Sequence, residues 1–190
     1  MFDAVPYIDW MTGRTAAAAH DLGSSDLRPI GEGGGVVPRR LADRSEPPEE
    51  RPFADRIAEL YGVGTENVLV TAGATHANFL ATAAALQGGP GTDRVLVEKP
   101  GYQPLVETPK ALGATVDRFV RTAATDYALD PDRVEAAVTN ETALVTVTTR
   151  HNPSGGLADP ASIDEAVDVA SEVDATLLVD EVYAPFTPEP

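Results

Sequence analysis

The sequence has 190 residues, 43% of them hydrophobic and 23% charged, and its 14 Lys and Arg against 30 Asp and Glu leave a formal net charge of −16. A chain of that size folds as one domain, or one and a part, and its composition is globular rather than disordered. The acid excess excludes sequence-independent binding to nucleic acid or anionic membrane, and the absence of cysteine excludes disulfides, thiolate zinc sites and cysteine nucleophiles.

Residues 1–20 place Asp3 and Asp9 early and have no long apolar core. They predict neither a secretory signal nor a transmembrane helix, and a cytoplasmic location follows as the default. Residues 21–50 are turn-rich, with Gly31, Gly33, Gly34 and Gly35 in one run and Pro47 and Pro48 in another. We read residues 1–50 as an irregular arm with a short helix near residues 11–20, and residues 51–190 as the folded domain.

From residue 52 onward helices alternate with strands. Phe53, Ile57, Leu60 and Tyr61 recur at helical spacing, with Gly62 as the stop. Residues 67–71 (NVLVT) predict a first strand, and Thr75 caps an Ala-rich helix over 76–87. Residues 94–98 (RVLVE) give a second strand, 103–112 a helix interrupted by Pro109, and 114–120 a third strand. Asp130-Pro131 and Asp159-Pro160 each read as an N-cap followed by proline in the first turn. The first opens a helix to Val138. The second opens one with Ile163, Ala166, Val167, Ala170 and Val173 inward. Residues 143–149 and 175–181 complete a set of five strands. Apolar strands separated by helices predict an α/β fold, a largely parallel sheet with helices on both faces.

In such a sheet, ligands sit beyond the C-terminal strand ends. Four clusters fall there. Gly73-Ala74-Thr75 opens a helix, where free backbone N–H groups and a hydroxyl make either an anion site or an ordinary threonine cap. Tyr102 sits in a turn after the second strand and by itself reads as a core or rim residue. Asn152-Pro153-Ser154-Gly155 is a strong turn signal after the fourth strand. Asp180, closing the fifth strand before Glu181-Val182-Tyr183, reads as a half-buried acid that needs a cationic partner, or as a helix-capping Asp.

The four clusters, in this order and spacing, resemble class I/II aminotransferases, pyridoxal 5'-phosphate (PLP) enzymes of fold type I. The resemblance runs from about Tyr7 to the last residue and covers the N-terminal part of such an enzyme. It implies that Gly73, Ala74 and Thr75 hold the cofactor phosphate and that Tyr102 stacks on its ring. It also implies that Asn152 and Tyr183 bind the phenolic oxygen and that Asp180 pairs with the ring nitrogen. Amino acid and 2-oxo acid substrates and a homodimeric full-length parent are further implications.

The departures from the family pattern are as informative. Its cofactor-binding lysine follows the Asp180-Glu181-Val182-Tyr183 strand by tens of residues, and the sequence stops at Pro190. Neither Lys99 nor Lys110 stands in an equivalent position, so the chain as given is expected to lack a catalytic residue and to be inactive. The family's seven-stranded sheet also supplies the neighbour of its first strand from later sequence. Strand 67–71 is therefore expected to pair with strand 175–181, stay unpaired, or recruit another chain. A lyase or decarboxylase of the same fold, a non-catalytic PLP-binding module and a nonfunctional gene remnant are the rival readings.

The remaining polar residues carry less. His20 reads as an arm residue and His76 as a helix-end residue. His151 either supports the Asn152 turn or packs beside it. Twelve Arg against two Lys, with the acid excess, resembles proteins of a high-salt cytoplasm, as in a halophilic archaeon. There a carboxylate-rich surface stays hydrated and its self-repulsion is screened.

Overall fold

Strands that are apolar on both sides can be buried only where helices cover each face. The computed structural model, which describes residues 4–20, 52–88 and 91–184, has four strands among them: β1 (Arg94–Lys99), β2 (Thr115–Val120), β3 (Thr142–Thr148) and β4 (Thr176–Asp180). They form one parallel sheet in the order β2-β1-β3-β4. The helices are α1 (Pro6–Met11), α2 (Arg14–Ala17), α3 (Phe53–Tyr61), α4 (Ala74–Ala85), α5 (Gln103–Ala111), α6 (Pro131–Glu135) and α7 (Pro160–Glu172).

Alternation along the strands divides the core in two. Leu96, Val145 and Val147 point to the face covered by Val134 of α6 and Ala166 and Ala170 of α7. Val95, Val97 and Leu144 point to the other, against Leu105 and Val106 of α5 and Ala85 at the end of α4. β3 is buried along its whole length, as a central strand with helices above and below must be. The register pairs Lys99 with Val120 and Thr148 with Asp180, so the C-terminal ends of the strands share one edge.

Several expectations are corrected. Residues 67–71 are not a strand: Thr65–Asn67 is a 3-10 turn, and the segment after it joins no ladder among the described residues. Leu69 and Val70 are 74% and 49% exposed. An apolar run becomes a strand only where a neighbour accepts its backbone hydrogen bonds, and of the three expected outcomes this segment stays unpaired. α4 begins at Ala74 with Gly73 as its N-cap, so Thr75 lies in the first turn and does not cap.

The expected single helix at 11–20 is two short ones, parted by Gly13 at φ 77°. α6 stops at Glu135 rather than Val138. In α7, Ala166 and Ala170 are buried but Val167 is exposed. In α3, closed as expected by Gly62 at φ 67°, Phe53, Leu60 and Tyr61 of the helical-spacing set are exposed, Ile57 is half-buried and only Ala58 is buried. Helical spacing reveals an apolar face, not what covers it. Residues 21–50, most of the expected arm, lie outside the described residues.

Candidate active site

Four loops meet the C-terminal edge of the sheet. The first leads into α4. Gly73 has φ 123° and ψ 173°, a conformation strained for any residue with a Cβ. Its carbonyl accepts from the N–H groups of both His76 and Ala77, each at 3.1 Å. The N–H groups of Ala74 and Thr75, ahead of them, have no helical acceptor. With the exposed Thr75 hydroxyl beside them, they are donors that could hold an anion at the positive end of a three-turn helix. His76 is a helix-end residue as expected, its Nδ1 accepting from the Ala72 N–H at 3.3 Å.

One turn along the same helix, Asn78 Nδ2 donates to Asp180 Oδ2 at 2.8 Å. The Val182 N–H donates to Asp180 Oδ1 at 3.0 Å. Asp180 is 7% exposed, so its two oxygens are held in one orientation, each with a lone pair still open. The expectation is corrected: Asp180 is buried rather than half-buried, and its partners are a neutral amide and a backbone N–H that closes a local turn, not a cation.

Tyr102 is the N-cap of α5. Its ring meets Tyr7 of α1 edge to face at 5.9 Å, and the Tyr7 N–H donates to Gln103 Oε1 at 2.8 Å. Burial pushes the Tyr102 hydroxyl above its ordinary value, and Tyr7, Tyr183 and Asp180 push it further. Tyr102, Tyr183 and Asp180 thus share one region, and Tyr102 keeps its proton there. Asn152 follows β3 on the same edge, half-buried. Among the described residues its side chain makes no hydrogen bond to Tyr102, Asp180 or Tyr183.

Behind these loops lies a buried ionic layer. Glu98 Oε2 and Arg121 Nη1 are 2.6 Å apart, with side-chain exposures of 0% and 1%. Glu98 Oε1 accepts from the Thr148 N–H at 3.0 Å, and Arg121 Nε donates to the Tyr127 carbonyl at 2.7 Å. Burial raises the Glu98 carboxyl above its ordinary value, while the Thr148 and Arg121 donors oppose that rise. His151 is buried beside this layer.

Residues 45–190 match the family described as aminotransferase class I and II. The chain belongs to that family. It is 29% identical over 138 residues to an aspartate aminotransferase of Sulfurisphaera tokodaii, covering 70% of this chain and 34% of that protein. It is 30% identical over 192 residues to a capreomycidine synthase of Streptomyces vinaceus, covering 95% and 49%. Among solved structures, an aspartate aminotransferase from Thermus thermophilus superposes with a TM-score of 0.62 at 27% identity, over 67% of this chain and 36% of that one. A PLP-dependent aminotransferase from Streptococcus suis gives 0.61 at 35% identity, over 68% and 34%. The chain thus spans about a third to a half of the relatives it matches.

Class I and II aminotransferases use PLP, and the donor set here suits it: an anion seat, an aromatic ring and a buried acid along one sheet edge. Sequence reasoning missed Asn78. Its signal was a single amide in an otherwise apolar stretch, three residues after Thr75 and so on a neighbouring face of the helix. It also missed the partnership of Glu98 and Arg121, two charges closing apolar strands. No helix among the described residues is long and apolar enough to cross a membrane.

Proposed function

We propose that this chain supplies the PLP-holding part of an aminotransferase that moves an amino group between an amino acid and a 2-oxo acid. The observation that carries this reading is Asp180, a buried carboxylate whose orientation is set by Asn78 and Val182. An acid so placed holds a proton on a pyridine nitrogen. The N–H groups of Ala74 and Thr75 and the Thr75 hydroxyl, with Gly73 shaping the turn, would take the phosphate. Tyr102 would offer its ring face, and Asn152 and Tyr183 would donate to the phenolic oxygen. When bound, PLP supplies an electron sink for bond-breaking at the substrate α carbon.

The 190 residues contain only two lysines. Lys110 is paired with Glu107 at 3.1 Å, and Lys99 is the exposed last residue of β1. Neither stands where the family lysine would, so these residues by themselves bind rather than transfer. The full enzyme is proposed to be a homodimer.

Titration of the 190-residue chain with PLP, followed by absorbance, tests the reading. Saturable binding that weakens about tenfold or more in Asp180→Ala, and in a Thr75→Ala variant, is the expected result, since each substitution removes a charge-assisted contact. Equal affinity in wild type and Asp180→Ala would show that the acid does not face the ring.

A further inference from the structure

His151 has no part in the cofactor contacts above, yet both of its ring nitrogens are engaged. The side chain is 1% exposed. Nε2 lies 2.9 Å from the carbonyl oxygen of Pro100, in the turn that carries Tyr102. Nδ1 lies 2.7 Å from Ser154 Oγ, in the turn that carries Asn152. A carbonyl oxygen can only accept, so Nε2 bears the hydrogen. In the neutral ring, Nδ1 then accepts from the Ser154 hydroxyl, whose oxygen accepts from the Gly156 N–H at 3.2 Å.

The backbone around the ring is equally fixed. The His151 N–H donates to the Gly156 carbonyl at 2.8 Å, and the Gly155 N–H donates to the His151 carbonyl at 2.7 Å. Tyr127 stacks against the imidazole at 5.8 Å between ring centroids. One ring therefore joins the loop after β1 to the loop after β3, with a directional bond at each end.

We propose that His151 is a positioning residue that ties the Tyr102 turn to the Asn152 turn and sets the gap between them. The tie rests on the PLP reading for the identity of what fills the gap: a planar ring, faced by Tyr102 and met at its edge by Asn152. The tie itself lies between two turns of this chain and is testable without any ligand.

Two measurements on the 190-residue chain decide it. Long-range proton–nitrogen spectra of histidine-labelled protein report the tautomer of His151: Nε2–H is expected, and Nδ1–H would overturn the proposal. The second is a variant set read by the amide shifts of Gly101 and Tyr102 in one turn and Gly155 and Gly156 in the other. Glutamine can place its amide N–H, a donor, near the position of Nε2, and asparagine its amide oxygen, an acceptor, near that of Nδ1. His151→Gln is expected to hold the Tyr102 turn and release the other. His151→Asn does the reverse, and His151→Phe moves both.

Should the phenylalanine variant unfold, the two amide variants still separate the two ends. Identical effects of Gln and Asn, or wild-type shifts in the Tyr102 turn of His151→Phe, would refute the tie. PLP affinity is the third readout: His151→Gln and His151→Asn each lose one of the two bonds and are each expected to bind up to about tenfold more weakly, with His151→Phe weaker still. A wild-type chain with the Nε2–H tautomer that bound no PLP would remove the cofactor reading and leave the tie standing.

Discussion

Replacing Arg121 by Met keeps most of the side-chain volume and removes the cation paired with the Glu98 carboxylate. The carboxylate, 0% exposed, is then left with the Thr148 N–H at 3.0 Å as its donor. Breaking a buried pair from one side typically costs about 3–5 kcal/mol, because the remaining charge is uncompensated. The variant has a cheaper response, which is to protonate Glu98. From its ordinary value of 4.5 to neutral pH that costs roughly 3 kcal/mol at ~1.4 kcal/mol per pH unit, and the orphaned Tyr127 carbonyl adds about 1 kcal/mol.

The pH dependence follows from the sign of the shift. Burial already raises Glu98 in the folded state, so its contribution to stability is full below its unfolded value and lost as pH rises through its folded value. Taking away Arg121 removes a lowering influence and carries that loss to higher pH. Urea unfolding followed by circular dichroism is the assay, in molar KCl to screen the acidic surface without touching the buried pair. With m near 2 kcal/mol/M, the midpoint at pH 7 should fall by about 1.5–2 M. The deficit should shrink toward about 0.5 M as pH approaches 4.5, the residue of the Tyr127 term. A pH 7 midpoint indistinguishable from wild type, or a deficit that stays constant on acidification, would refute the reasoning.

Gly101→Ala should destabilise the chain and disturb the Tyr102 turn, because its Cβ would lie 2.8 Å from the Glu98 carbonyl oxygen. A loss of about 1–3 kcal/mol would appear in the same urea assay, and wild-type stability would mean that the turn relaxes freely. The charge of −16 and scarcity of Lys predict that folding is stronger in molar KCl than in dilute buffer; equal circular dichroism spectra in both would contradict it. Borohydride reduction after PLP addition should label Lys99 or Lys110 sparsely, with no amino-donor-dependent formation of pyridoxamine phosphate. Stoichiometric labelling with turnover would overturn the view that these residues bind without transferring.

Much of the sheet was legible because β1, β3 and β4 are short, largely apolar runs bounded by turn residues, and that pattern reports burial; β2, with Asp117 and Arg118 inside it, lies at the edge of the sheet. The segment at 67–71 has the same pattern and is no strand. Composition encodes the wish to be buried, while a ladder needs a neighbour that sequence periodicity does not name. Asp180 was legible because an acid closing an apolar run is costly without a purpose. Asn78 was not, since its meaning depends on a carboxylate 102 residues away. The Glu98–Arg121 pair was hidden for the same reason: each charge alone looks like a strand end. Thr75 was misread as a cap because its hydroxyl fits one, whereas the backbone at Gly73, with φ 123°, had already set where the helix starts.

α4 begins at its anion seat and, three residues after Thr75, grips Asp180 through Asn78. A helix rises about 1.5 Å per residue, so Asn78 stands roughly 4.5 Å further along the axis than Thr75. In the proposed site, the span between the phosphate and the acid would therefore be set by a rigid rod. One residue inserted between Thr75 and Asn78 would advance the amide by about 1.5 Å and swing it about 100° away from Asp180. On the proposed reading the helix would work as a gauge, admitting a ligand by how its two ends match the count of residues between them.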